Sequence, residues 1–137
     1  MSFVRWIALA LLLAANPVLG EEAEVADPAR EAAMEWLALV DAGDYAQSWT
    51  QASALLQQQV SQEAWVEALG ITRQPLGDVL SREVTRVDHV TELPNVPDGE
   101  YAVLQFKTRF ADRESAAEMV TPSLEDGEWK VAGYYIR

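Results

Sequence analysis

The hydrophobic period of this chain changes once, at Gln74-Pro75-Leu76-Gly77, and that switch limits the possible folds more than any other feature. Before it, apolar residues recur at helical steps of three and four. Asp27-Pro28 supplies an N-cap followed by proline at the first helical position, and Ala29, Ala32, Ala33, Trp36, Leu37 and Val40 then form one stripe, with Arg30, Glu31, Glu35 and Asp41 facing away. Gly43 ends this helix and Asp44 caps a second, which carries Tyr45, Trp49, Ala52, Ser53, Leu56 and Val60 on one side. Ser61 caps a third, shorter helix with Glu63 in its first turn and Trp65, Ala68, Leu69 and Thr72 on one face; Gly70 weakens its end.

After the switch the period is two. From Val79 to Leu93, the set Leu80, Arg82, Val84, Arg86, Asp88 and Val90 alternates against Val79, Ser81, Glu83, Thr85, Val87 and His89. Pro94 to Gly99 is the connection that follows. Tyr101 to Ala111 places Ala102, Leu104, Phe106, Thr108 and Phe110 on one face, the better core candidate, and Tyr101, Val103, Gln105, Lys107 and Arg109 on the other. A turn at Asp112-Arg113-Glu114 leads to a strand from Ser115 to Leu124, and Asp126-Gly127 makes a tight hairpin into Glu128 to Arg137. Helices followed by strands with short antiparallel connections predict one α+β domain over residues 28–137, with N-terminal helices packed on a bent, four-stranded antiparallel sheet.

What precedes that domain reads as an address. Arg5 is followed by the apolar run Ile7 to Ala15, a break at Asn16-Pro17, and the small-residue site Val18-Leu19-Gly20. The run falls well short of the roughly 20 apolar residues that span a bilayer. Residues 1–20 are therefore expected to be a cleaved signal peptide and residues 21–27 an acidic flexible tail, leaving an exported, most simply periplasmic, protein with no lasting membrane anchor.

Charge and composition remove several function classes. The chain carries a net charge of −12, which becomes −13 once the leader takes Arg5 with it, and so strong a negative balance repels nucleic acid. With no cysteine there is no disulfide framework, thiolate metal site or cysteine nucleophile. A core must then come from packing, and four of the five tryptophans, Trp36, Trp49, Trp65 and Trp129, lie beyond the leader to supply it.

Four blocks together resemble the uncharacterised exported bacterial family known as domain of unknown function 4019. They are Trp36 to Trp49 (WLALVDAGDYAQSW), Arg73-Gln74-Pro75-Leu76-Gly77, Pro97-Asp98-Gly99-Glu100-Tyr101, and Asp126 to Ile136 (DGEWKVAGYYI). The resemblance covers about residues 28–137 and implies no activity, because that family has none established. More loosely, the order of elements is similar to the NTF2-like and cystatin-like architecture, which implies a cone with a pocket and by itself assigns no function.

Candidate chemistry is sparse. His89 is the only histidine, which leaves a single imidazole–carboxylate dyad as the one imidazole mechanism open; Glu83, on the same face by alternation, and the hydroxyl of Tyr135 are the other weak catalytic candidates. No metal-binding loop or cofactor motif is present, and Asp98-Gly99 and Asp126-Gly127 are explained as turns. The aromatic residues Tyr45, Trp49, Trp65, Trp129 and Tyr135 are candidate ligand-binding residues, weighed against plain packing; of the adjacent Tyr134 and Tyr135, only one can reach a given pocket. Arg82 with Arg86, and Lys107 with Arg109, form basic pairs on strand faces, suited either to an anionic partner or to cross-strand pairing with Glu83, Glu118 and Glu128. The preferred expectation is a non-enzymatic module for a small ligand or an envelope protein; the alternative is a small NTF2-like enzyme with an acid or base in its cone.

Overall fold

The computed structural model describes residues 27–137; the signal peptide expected at 1–20 and the acidic segment 21–26 lie outside the described residues. Four helices come first: α1 (Pro28–Asp41), α2 (Tyr45–Thr50), α3 (Ala54–Gln59) and α4 (Gln62–Thr72), followed by a 3-10 turn at Gln74–Leu76. Four strands follow: β1 (Val79–Val90), β2 (Tyr101–Phe110), β3 (Arg113–Glu125) and β4 (Glu128–Ile136). They pair as an open antiparallel meander in the order β1-β2-β3-β4. The architecture is α+β, with the helices on one face of the sheet.

Each end of α1 is made by the residues expected to make it. Asp27 Oδ1 accepts from the Ala29 N–H at 3.0 Å, and Pro28 occupies the first turn, where its missing N–H costs nothing. At the other end Gly43 has φ +82°, its N–H donates to Val40 O and the Asp44 N–H to Leu39 O, which is a Schellman closure. The buried stripe Ala29, Ala33, Trp36, Leu37 and Val40 packs on Ala102, Leu104 and Phe106 of β2, Val120 of β3 and Val131 of β4. This interface is filled with side chains that are at most 4% exposed.

The expected second helix over Tyr45–Val60 is two helices, so the described residues form four α-helices rather than three. The break at Gln51–Ser53 has a tertiary cause. The Ser53 N–H donates to Val131 O of β4 at 2.8 Å, its hydroxyl donates to Glu125, and its Oγ accepts from the Leu55 N–H to cap α3. A serine that can cap a new helix and bond the sheet outcompetes one continuous helical ladder. Gly70, by contrast, does not stop α4, which continues to Thr72.

Of four register shifts in the sheet, those in mid-β1 and in β4 bear most on which side chains face the helices. Val84 pairs with Phe106 and Arg86 with Gln105, which leaves Thr85 as an extra residue in β1. Both Val84 and Val87 therefore turn to the core, although plain alternation assigns them to opposite faces. Arg82 and Arg86 are separated in the same way: Arg82 points under the helices, while Arg86 stands on the open face with Asp88 at 2.7 Å. In β4 the shift falls at Ala132, between Thr121↔Gly133 and Pro122↔Val131, and a proline inside a central strand is tolerated beside such an irregularity.

Candidate functional site

Beneath the helices the sheet carries a closed polar cluster. Arg82 of β1 donates from Nη1 and Nη2 to the two oxygens of Asp41, at 2.8 and 3.0 Å, and from Nε and Nη2 to the two oxygens of Glu118, at 2.8 and 3.2 Å. Arg73, the C-cap of α4, donates to Asp41 at 3.1 Å and to Gly77 O at 3.0 Å, with its guanidinium 4.4 Å from the centre of the Phe110 ring. Thr108 and Tyr134 hydroxyls each donate to Glu118 at 2.5 Å. The Glu118 side chain is fully buried, and those of Arg73 and Arg82 are 3% and 7% exposed.

Two cations face two carboxylates, so the cluster is neutral as a unit. Burial alone would lower the Arg82 pKa, but the hydrogen bonds and charges of Asp41 and Glu118 outweigh it and hold the guanidinium firmly protonated. Burial pushes the Tyr134 hydroxyl well above its ordinary range, and the adjacent Glu118 carboxylate adds to that shift. Glu118 accepts four hydrogen bonds, which saturates its two oxygens and leaves none for a substrate. The chemistry of this cluster is structural: it ties α1 and α4 to all four strands.

The aromatic candidates are distributed over four places. Trp65 and Trp36 lie ring to ring at 6.1 Å; the Trp36 indole donates to Ser48 O at 2.8 Å and the Trp65 indole to Ser48 Oγ at 2.9 Å. Tyr134 meets Trp36 edge-on at 5.4 Å, and Tyr45 packs partly buried beside them. Trp49 faces another way, its N–H bonded to Val60 O at 2.9 Å. Trp129 borders a hollow of about 110 Å³ shared with Glu35, Trp36 and Gln51. Tyr135 stands on the opposite face of the sheet, 58% exposed.

His89 and Glu83 are not brought together. The Thr85 bulge puts His89 on the helix-bearing face, where Nε2 lies 3.2 Å from Asp27 Oδ2 and the Trp129 ring is edge-on at 6.0 Å. Glu83 is exposed on the other face, opposite Lys107.

That open face holds the more accessible site. A groove of about 610 Å³ crosses β1, β2 and the start of β3, lined by Ser81, Arg82, Glu83, Lys107, Thr108, Arg109, Glu114 and Ser115. Since the Arg82 and Thr108 side chains are buried on the helix side, their contribution to the groove is backbone. Lys107 and Arg109, two residues apart on β2, make a basic stripe about 7 Å long. Glu83 flanks it from β1 and Glu114 from β3, and none of these four charges is in an ion pair among the described residues. Next to the groove is a second hollow of about 290 Å³, lined by Gln105, Ala117, Met119, Tyr135 and Arg137 and by Glu118.

The sequence placed Lys107 with Arg109 on one face and offered Glu118 as a partner for Arg82, which the structure bears out, but did not gather Asp41, Arg73, Thr108 and Tyr134 around that pair. The available signal was charge on an otherwise apolar face: Arg82 alternates with Val84, and Thr108 sits between Phe106 and Phe110. Asp41 gave none, because the helical wheel places it away from the stripe.

Comparison with curated proteins finds no match to the chain. A family model described as "Protein of unknown function (DUF4019)" matches residues 32–134, which takes in most of α1, the other three helices, β1 to β3 and β4 as far as Tyr134. The chain belongs to the DUF4019 family.

Proposed function

We propose that this protein is an exported, non-enzymatic binding module that holds a small ligand or a segment of an envelope protein on the open face of its sheet. The observation that carries the reading is the groove of about 610 Å³, with accessible charges on Lys107, Arg109, Glu83 and Glu114 that have no partner among the described residues. The buried acids and bases, by contrast, are consumed by one another. Export rests on the leader pattern at residues 1–20, and no helix among the described residues is long and apolar enough to cross a membrane.

The enzyme alternative rests on His89 beside Asp27, half-exposed at the end of β1. The carboxylate neighbour of His89, Asp27, is the N-cap of α1, and Glu83 is on the other face. Melting-temperature shifts against a panel of periplasmic metabolites and cell-wall fragments, with affinity capture of envelope proteins in parallel, test the binding reading. A ligand or partner whose binding is lost in Lys107→Glu/Arg109→Glu supports it; no shift and no partner overturns it. Export is tested by fractionation together with N-terminal mass analysis, the expected mature start being Glu21.

A further inference from the structure

The chemistry of the open face narrows what would occupy it, given the binding reading above. We infer that this face receives an extended peptide segment in which an acidic side chain lies two positions from an apolar or aromatic one.

Four observations converge on that occupant. First, Lys107 and Arg109 are on the same face of β2, so one carboxylate can be shared between an ammonium and a guanidinium, the arrangement that makes the stronger kind of hydrogen bond. Second, the adjoining hollow is lined by Ala117 and Met119 of β3 and Tyr135 of β4, whose exposed ring lies 5.9 Å from the Arg137 guanidinium. Third, the two parts are in register. Lys107 pairs with Ala117, and Gln105 with Met119, which in turn pairs with Tyr135; one step of two residues along β2 leads from the cation to the apolar row.

That step is about 7 Å, and same-face side chains of an extended peptide are also about 7 Å apart. A peptide lying along β2 would thus set successive same-face side chains against the basic stripe and then the hollow. Fourth, the charge balance favours an acid at that place and disfavours one elsewhere. The helices and loops carry Glu31, Glu35, Asp44, Glu63 and Glu67, whereas the open face mixes Lys107, Arg109, Arg137 and the Arg86–Asp88 pair with Glu83 and Glu114, the cations Lys107 and Arg109 standing side by side on β2. Glu83 and Glu114, at the flanks of the groove, would repel a run of acids and so select a single carboxylate among neutral or basic neighbours.

The test uses the full mature chain and fluorescein-labelled hexapeptides that place an aspartate two positions from a phenylalanine, read by anisotropy at low and high salt. Binding of this peptide is expected, weakened about tenfold when its aspartate is replaced by asparagine and weakened by added salt. The double variant Lys107→Glu/Arg109→Glu should lose about as much, and Tyr135→Ala several-fold, with a cooperative melting transition kept in each variant because all three side chains are exposed. Equal affinity for the asparagine peptide, or no loss in the double variant, overturns the inference. So does full competition by acetate, which would reduce the site to one for any small anion. Peptide failure alongside a hit in the metabolite panel sinks this inference and spares the broader reading, whereas failure of both sinks both.

Discussion

At the scale of single residues, the fold's most sensitive group is a carboxylate that composition would place on the surface. Glu118 has no exposed side-chain area and accepts from Arg82, Thr108 and Tyr134, so its removal leaves Arg82 buried with only Asp41 to balance it. Glu118→Ala should lower stability by about 3–5 kcal/mol, read from the urea midpoint, because breaking one side of a buried ion pair strands the other. Tyr134→Phe should cost about 1–3 kcal/mol at neutral pH for the lost hydrogen bond. Its pH dependence has a defined sign. The folded hydroxyl titrates well above the ordinary value, so its contribution is complete below the unfolded tyrosine pKa of about 10 and is lost as pH rises beyond it. The advantage of the parent chain over Tyr134→Phe should therefore shrink between about pH 9 and about pH 11; a constant difference would mean that the folded hydroxyl titrates normally.

At the scale of elements, irregularities decide which side chains meet. Thr85 is the extra residue that turns both Val84 and Val87 inward, separates Arg82 from Arg86 and parts His89 from Glu83. Deleting it restores strict alternation, which would drive Val87 out of the core or force a register slip; the expected result is failure to fold, seen as loss of the cooperative urea transition. Gly77 is the second such point. It has φ +82° and ψ −164°, and a Cβ there would meet Asp112 Oδ2 at 2.7 Å and Ala111 Cβ at 3.2 Å, whereas a Cβ at Gly127 meets nothing within 4 Å. Gly77→Ala should cost about 2–3 kcal/mol and Gly127→Ala about 1–2, compared by thermal melting. Helix and strand types, and the caps at Asp27, Gly43 and Ser61, follow local rules that a sequence displays. The split between α2 and α3 was hidden because its cause, the bond from Ser53 to Val131, joins residues far apart in the chain.

At the scale of the whole molecule, charge is unevenly spread between the layers. Acidic residues crowd the helices and loops, while the open sheet face mixes Lys107, Arg109 and Arg137 with Glu83 and Glu114. A net charge of −12 for the chain makes self-repulsion a standing cost, so the melting temperature should rise as salt is raised from about 0.01 M to about 0.5 M; a fall would mean that attraction across the sheet dominates. By itself the sequence determined the class of fold, the near boundaries of every strand, the capped ends of α1 and the inward face of β2, because these depend on local periodicity and on turn and cap chemistry. Only the tertiary structure decided which charges are sealed and which are offered to a partner. Arg82 and Lys107 look alike as cations on neighbouring strands, yet a helix lid and the Asp41 and Glu118 carboxylates bury one, while the pleat leaves the other in water. That difference is set by contacts between residues up to 41 positions apart, which no local pattern encodes.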